Sequence, residues 1–265
     1  MPANILVCVK QVMDPETPMS QFKIDSATRK VLDPQGIPPV LNGFDENAME
    51  AALRIKENDG ASVSVVSIGS SFVMEVIKKP LSMGADELTL LQDDVFDGMD
   101  AFGTAKSLAS AIKKMGEFDL ILCGRQASDF DQAHVPLGIA EILGVPCITM
   151  ASDVQIVDGK VRVERKLPDG YEVLEAALPA VVTVSNELAP VRYPTLRNIM
   201  QASRKQPTSL GLGDIGLDTN DLNGGLEIQD LYIPVSDVVC EFIEGDDDED
   251  AGRKLALKLR EAKLI

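Results

Sequence analysis

Between residues 124 and 134 the chain reads Gly124-Arg125-Gln126-Ala127-Ser128-Asp129-Phe130-Asp131-Gln132-Ala133-His134. A guanidinium, amides, a hydroxyl and two carboxylates crowd one connection between an apolar run and a helical one. That is more polar chemistry than a plain connection needs. It suits an anionic ligand held at a helix start, where free backbone N–H groups and a nearby cation bind phosphate. Three other stretches share this character: Cys8-Val9-Lys10-Gln11, Leu41-Asn42-Gly43-Phe44-Asp45 and Ser67-Ile68-Gly69-Ser70.

Other chemistries lack their residues. His134 is the only histidine, and with no nucleophile or orienting group to join it reads as a hydrogen-bonding bystander. Cys8, Cys123, Cys147 and Cys240 show no short paired spacing, which argues against zinc and iron–sulfur sites. Three of them lie in apolar runs and read as small buried hydrophobes in a reducing cytosol. No Gly-x-Gly-x-x-Gly follows the first apolar run, and there is no Walker A lysine loop. The pattern predicts a binding site without catalytic residues of its own.

The elements that must position this site alternate in period. Residues 4–9, 62–68, 87–92 and 119–123 are apolar runs of the kind found in strands covered on both faces. Between them lie helical patterns. Asp45 is expected to cap one helix, with Ala48, Ala51, Ala52 and Ile55 on a common face. Asp100 is expected to cap another, carrying Ala101, Ala105, Leu108, Ala109, Ile112 and Met115. A third begins near Ala133, with Pro136 in its first turn. Alternation of strand and helix predicts an α/β fold with an open, mostly parallel sheet. Ligands of such sheets bind beyond the carboxyl ends of the strands, where all four polar stretches fall.

After residue 150 the pattern changes. Residues 151–166 and 171–184 predict a β-hairpin, with Asp158-Gly159 and Asp169-Gly170 as turn signals. Val181-Val182-Thr183-Val184 returns to the core, 186–208 mixes prolines with basic residues, 209–226 reads as loop and 248–263 as a terminal helix.

The chain has 265 residues, 42 acidic and 25 basic, for a formal charge of −17. Nucleic acid and anionic lipid, which need a basic face, are therefore not expected partners. Ten of the acids lie between Glu227 and Asp250, where there is no Lys or Arg, so the C-terminal portion differs in kind from the body. No run approaches the ~20 apolar residues of a membrane span. The start lacks the pattern of a secretory signal, and a cytoplasmic location is expected.

Six ordered blocks between residues 7 and 200 resemble the β subunit of electron transfer flavoproteins. They are Val7-Cys8-Val9-Lys10-Gln11-Val12, the helix start at 42–52, Met83-Gly84-Ala85-Asp86, Cys123-Gly124-Arg125-Gln126-Ala127-Ser128-Asp129, Leu178-Pro179-Ala180-Val181-Val182-Thr183 and Arg192-Tyr193-Pro194-Thr195-Leu196-Arg197-Asn198-Ile199-Met200. The resemblance implies an adenine-nucleotide-binding α/β domain of the HUP-like type over 1–208, with an extended arm over 209–265. It also implies a heterodimer with a larger α subunit that carries FAD on a mobile domain and is embraced by the arm.

In this family the β pocket holds AMP as a structural ligand, or a second FAD in electron-bifurcating members. Carried over by position, the contacts would be Cys8, Val9, Lys10, Asn42, Gly43, Phe44, Asp45, Ile68 and Gly69, with Thr104 near a flavin ring. The loop would add Cys123, Gly124, Arg125, Gln126, Ala127, Ser128, Asp129, Asp131, Gln132, Ala133, His134 and Val135. A partner-recognition loop would present Leu196 to a flavin-dependent dehydrogenase of acyl-CoA or hydroxy-acid type, beside Arg192, Tyr193 and Arg197.

This sequence departs from the family pattern at Pro168, where an acidic residue is usual, at Lys166, a place that is acidic in some members, and at Phe130 and His134 in the binding loop. The stretch 94–104 is similar to bifurcating subunits, whereas 192–200 is closer to non-bifurcating ones. On the FAD reading, this subunit takes hydride from NADH and divides the electrons between the α-subunit flavin and ferredoxin. On the AMP reading it stabilises the heterodimer and docks the dehydrogenase. A remote alternative, an ATP-using ligase or nucleotide sensor of the same fold, would need a Ser-Gly-Gly-x-Asp-Ser type loop where Lys10-Gln11-Val12-Met13-Asp14 stands.

Overall fold

A computed structural model describes residues 2–222, 224–235 and 239–265. Met1, and Asp237 of the acidic stretch, lie outside the described residues. Two compact units are present, Met1–Gln229 and Asp230–Ile265. The segment 209–229, which the resemblance assigns to the arm, belongs to the first of them.

The first unit begins with β1 (Asn4–Cys8), the short pieces β2 (Gln11–Val12), β3 (Lys23–Asp25), β4 (Lys30–Leu32) and β5 (Val40–Leu41), then α1 (Gly43–Asp59) and β6 (Ser62–Gly69). Short helices α2 (Met74–Ile77) and α3 (Lys79–Met83) lead to β7 (Glu87–Gln92), α4 (Ala101–Met115), β8 (Leu120–Gly124) and α5 (His134–Leu143). The chain continues through β9 (Cys147–Val157), β10 (Lys160–Leu167), β11 (Gly170–Ala177), β12 (Ala180–Val184), α6 (Leu196–Arg204) and β13 (Thr208–Leu210).

The main sheet has the order β11-β10-β9-β12-β8-β1-β6-β7-β13. Its strands from β9 through β13 run parallel, while β10 pairs antiparallel with both β9 and β11. The apolar runs of β1, β8 and β12 are buried, as strands covered on both faces must be. One face of the sheet is covered by α1, which buries Ala48, Ala51, Ala52 and Ile55, and the other by α4 and α5. The fold is the expected open α/β sheet.

From β1 the chain builds outward to β6 and β7, then returns to place β8 on the opposite side. The reversal opens a crevice beyond the ends of β1 and β8, where Cys8 stands opposite Cys123. This is the topological switch point at which open α/β sheets bind ligands.

Asp100 caps α4 as expected, accepting from Gly103 N at 2.9 Å. Asp45 does not cap α1. Asn42 holds the N-cap position, and Asp45 lies inside the first turn with its carboxylate turned toward other strands. The expected hairpin is instead the three-stranded antiparallel set β9, β10 and β11, followed by β12. Pro179 has no N–H for the ladder and stands between β11 and the parallel β12. The proline-rich 186–208 segment contains α6, capped by Thr195, whose hydroxyl accepts from Asn198 N at 3.2 Å.

The second unit carries the terminal helix α7 (Asp248–Glu261). Asp247 caps it, accepting from Asp250 N at 2.8 Å, and its acidic first turn with later Lys258 and Arg260 follows the helix dipole. Within this unit Tyr232, Val235, Val239, Phe242, Leu255 and Leu257 are exposed. Among the described residues no helix is long and apolar enough to cross a membrane.

Candidate functional site

Two buried side chains on the first turn of α1 tie the crevice together. Asp45 accepts from Lys10 N at 2.7 Å and from Gly124 N at 3.1 Å, so one carboxylate joins the ends of β1 and β8. Burial pushes Asp45 up to about 7, against the Lys10 and Gly124 N–H groups, which favour its ionised form. Asn42 donates from Nδ2 to Gln126 O at 2.8 Å and accepts from Ser128 N at 3.3 Å through Oδ1. Its own backbone N donates to Lys10 O at 2.9 Å. Asn42 and Asp45 thus brace the loop that follows β8.

Gly124 sits where no larger residue fits. A Cβ there would lie 2.4 Å from Asp45 Oδ1 and 2.7 Å from the Phe44 carbonyl carbon. The loop leaving it is cross-tied by Gln126 Nε2, which donates to Asp131 Oδ1 at 2.8 Å. Asp131 N donates in turn to Ala127 O at 2.9 Å. Asp131 and Ala133 adopt positive φ, which turns the chain sharply into α5. Ala133 brings no side-chain cap to α5. The N–H groups of its first turn are therefore left to water or a ligand.

The cations around this helix start are placed for an anion. Arg125 stacks on the Phe44 ring at 4.7 Å, and its Nε is buried with no hydrogen-bond partner among the described residues. Lys10 Nζ lies 2.5 Å from Asp129 Oδ2 and 5.8 Å from the Phe130 ring centroid, bridging the mouth of the crevice. The Ser67 hydroxyl at the end of β6 is also buried without a partner among the described residues. Ile68 and Gly69 complete that strand end.

Beyond α5, a cleft of about 420 Å³ is lined by Asp100, Phe102, Ala105, His134, Gly138 and Leu226, among others. Gly138 lets α4 and α5 pack closely at its edge, because a Cβ there would meet Ala105 Cβ at 2.7 Å. Thr104 lies on the neighbouring turn of α4, and its hydroxyl donates to Asp100 O at 2.8 Å. Burial and a hydrogen bond with Cys8 push the Cys123 thiol well up, the hydrogen bond contributing most. An uncharged, buried thiol is a floor for the site rather than a nucleophile.

The structure thus gathers the sequence-predicted residues from 8–10, 42–45, 68–69 and 123–135 around one crevice, with Thr104 beside the adjoining cleft. The docking residues divide. Tyr193, Leu196 and Arg197 are exposed. Arg192 instead turns onto α1, where its Nε donates to Glu50 Oε2 at 2.8 Å and its Nη2 to Glu57 Oε2 at 3.1 Å. Glu50, Arg54 and Glu57 form this anchor and were not singled out in the sequence. Their i, i+4, i+7 spacing on one helical stripe was the available signal.

Comparison with known proteins agrees with this geometry. The family description "Electron transfer flavoprotein domain" matches residues 30–213. The chain is 42% identical over 220 residues to an electron transfer flavoprotein subunit beta of Thermoanaerobacterium thermosaccharolyticum, covering 83% of this chain and 82% of that protein. It is 40% identical over 266 residues to the caffeyl-CoA reductase-Etf complex subunit CarD of Acetobacterium woodii, covering 99% and 100% respectively. It is also 40% identical over 222 residues to an electron transfer flavoprotein subunit beta of Megasphaera elsdenii, covering 81% and 80%. With a switch-point crevice built from the same blocks, the chain belongs to the electron transfer flavoprotein β-subunit family.

Proposed function

We propose that this chain is the β subunit of a heterodimeric electron transfer flavoprotein in the cytoplasm and that its crevice holds FAD. The observation that carries the reading is the pairing of an unpartnered buried Arg125 Nε with the uncapped start of α5, beside a cleft large enough for more than an adenylate. Donors of this kind fit a pyrophosphate. The full-length similarity to a subunit of a caffeyl-CoA reductase-Etf complex supports a multi-subunit redox setting.

Each residue has a task on this reading. Arg125 and the 133–135 backbone hold phosphate, and Lys10 with Asp129 closes over it. Asn42 and Asp45 act on the ligand through the loop they brace. Thr104 spends its proton on Asp100 O, which leaves its oxygen free to accept from a flavin N–H. When bound, FAD supplies hydride acceptance from NADH and one-electron transfer, onward to the α-subunit flavin with its dehydrogenase and to ferredoxin. The protein contributes binding, orientation and a site free of competing nucleophiles. The exposed apolar residues of the 230–265 unit suit an arm that wraps the α subunit.

A second reading has its own support. The clasped polar contacts concentrate at the phosphate end, which AMP alone would satisfy. In that case the subunit stabilises the heterodimer and docks the dehydrogenase. Co-expression with the α subunit, denaturation of the purified complex and chromatography of the released nucleotides decide between them. The FAD reading expects about two FAD and no AMP per heterodimer; one FAD and one AMP would overturn it.

A further inference from the structure

Part of the wall of the cleft beside α5 comes from a distant stretch of the chain. Gly225 and Leu226 line it together with Asp100, Phe102, His134 and Gly138. They belong to the last residues of the first unit, which lie against the start of α4. Asp100 serves both elements. Its Oδ1 accepts from Gly103 N and caps the helix, while its Oδ2 accepts from Leu226 N at 3.3 Å. Gly224 lies so close that a Cβ there would run into the same carboxylate. Just upstream, Leu222 is buried in the cluster under α4, and Asp221 pairs with Lys106 of that helix at 2.7 Å.

The other end of this strap is held by the β3–β4 hairpin. Arg29 Nη1 donates to Ile228 O at 2.7 Å and to Glu227 Oε1 at 3.2 Å. Next to it, Lys30 pairs with Asp97 ahead of α4, which fastens the hairpin beside the cleft. The strap buries little of its own: Leu226 is 67% exposed, and Glu227 and Ile228 are exposed as well. A segment with few buried contacts opens at low cost, so the hydrogen bonds that tie it down govern how often it opens. The two bonds from Arg29 differ in weight. The Glu227 side chain is 75% exposed, and such an ion pair contributes little. The bond to the Ile228 carbonyl is short and charge-assisted, and it fixes backbone.

We propose that Arg29 is a positioning residue for the bound nucleotide: by tying Ile228 down it keeps Gly224, Gly225 and Leu226 against Asp100 as a wall of the cleft and sets how slowly the nucleotide leaves. This rests on the reading that the crevice and the adjoining cleft hold a nucleotide. Arg29 acts through the strap, whereas Arg125 and the start of α5 act on phosphate. Loosening the Ile228 end raises the fraction of time that Leu226 is away from Asp100. Release then quickens while the phosphate contacts stay as they are.

The test uses the heterodimer with its α subunit and follows nucleotide loss after dilution, by chromatography of the freed nucleotides over time. Wild type is compared with Arg29→Ala, Arg29→Lys and Glu227→Gln. Position 29 has φ 54°, which strains alanine, lysine and arginine alike, so the three forms differ in the side chain alone. The FAD of the α subunit is the internal reference. Arg29→Ala is expected to lose the β-subunit nucleotide on the order of tenfold faster, with the reference rate and the melting temperature unchanged. Arg29→Lys still donates to the Ile228 carbonyl and is expected to recover most of the wild-type rate. Glu227→Gln is expected to change it less than about twofold. Hydrogen exchange at Leu226 N–H should quicken in Arg29→Ala alone. If the nucleotide that leaves faster is AMP, the strap assignment stands and the FAD reading falls. If Arg29→Ala changes no release rate, the strap assignment is wrong, and the identity of the released nucleotides still decides between FAD and AMP. Faster loss of both nucleotides with a lowered melting temperature would make Arg29 a residue of the fold and overturn the assignment too.

Discussion

Arg192 and Glu50 form a two-pronged pair, with Nε 2.8 Å from Oε2 and Nη2 3.2 Å from Oε1. Glu50 is almost wholly buried in the middle of α1, and Arg54 also reaches it at 3.0 Å. The pair joins the segment ahead of α6 to the helix whose first turn braces the ligand loop. Helix α6 and the crevice therefore share α1 as a common support. Arg192→Ala leaves a buried carboxylate with Arg54 as its remaining cation and is expected to cost about 2–4 kcal/mol, read as a lower urea midpoint. Arg192→Lys keeps the charge without the fork and is expected to recover less than half of that loss. An unchanged midpoint in Arg192→Ala would show that the pair does not hold the segment.

The same carboxylate should titrate in acid. Burial raises the Glu50 value, but hydrogen bonds from Arg192 and Arg54 outweigh it and hold the group below the ordinary glutamate value of 4.5. A depressed carboxylate contributes stability that is complete above its unfolded value and is lost as pH falls through the folded one. Wild type is thus expected to lose more stability than Glu50→Gln as pH drops below about 4.5. Denaturation curves of the two proteins over that range provide the check, and parallel curves would refute the assignment.

At Gly124 the constraint is steric. The missing side chain allows Phe44 and Asp45 to approach, and the nearest atoms include backbone, which cannot swing away. Gly124→Ala is expected to cost about 1–3 kcal/mol and to lower the nucleotide recovered per heterodimer. Gly170→Ala on β11, where a Cβ meets nothing within 4 Å, is the matched control and should retain nucleotide.

How much of this was legible in the sequence depended on the range of the contact. The open parallel sheet followed from alternating apolar runs, because a strand covered on both faces has a one-dimensional signature, whereas the strand order that makes the switch point came only with the fold. Asp100 was read correctly as a cap, since its partner Gly103 is three residues away. Asp45 was read with the same rule and is different, because its partners lie 35 and 79 residues away. Arg192 was read as a docking residue from its neighbours in the chain, whereas its partners come from α1. Composition showed polar density in the 124–134 loop, but only the fold shows that Asn42 is committed to bracing it. Helix α6 was hidden by Pro190, Pro194 and Pro207, which flank it without interrupting it.

Arg125 offers a test that separates binding from stability. Its Nε is buried without a partner among the described residues, so the folded protein gains little hydrogen bonding from it in the absence of a ligand. Arg125→Gln is expected to change the urea midpoint of nucleotide-stripped protein by less than about 1 kcal/mol. Nucleotide retention on gel filtration should nevertheless fall on the order of tenfold or more, as expected when a charge-assisted bond to phosphate is removed. A variant that unfolds early yet binds normally would reverse the assignment and make Arg125 a structural residue.

Asp45 sets the pH behaviour of the crevice. Its folded value of about 7 stands above the ordinary aspartate value of 3.8, with burial as the largest cause. Between those two values the folded state binds a proton that the unfolded state has released. Stability from this group is therefore complete below about 4, declines as pH rises, and is constant again above about 7. Asparagine resembles the protonated acid in shape and does not titrate. Asp45→Asn is thus expected to gain on the wild type as pH climbs from about 4 to about 7, with the two stability curves running parallel beyond that. Parallel curves over that interval would mean that the Lys10 and Gly124 N–H groups keep Asp45 ionised down to its ordinary value or below.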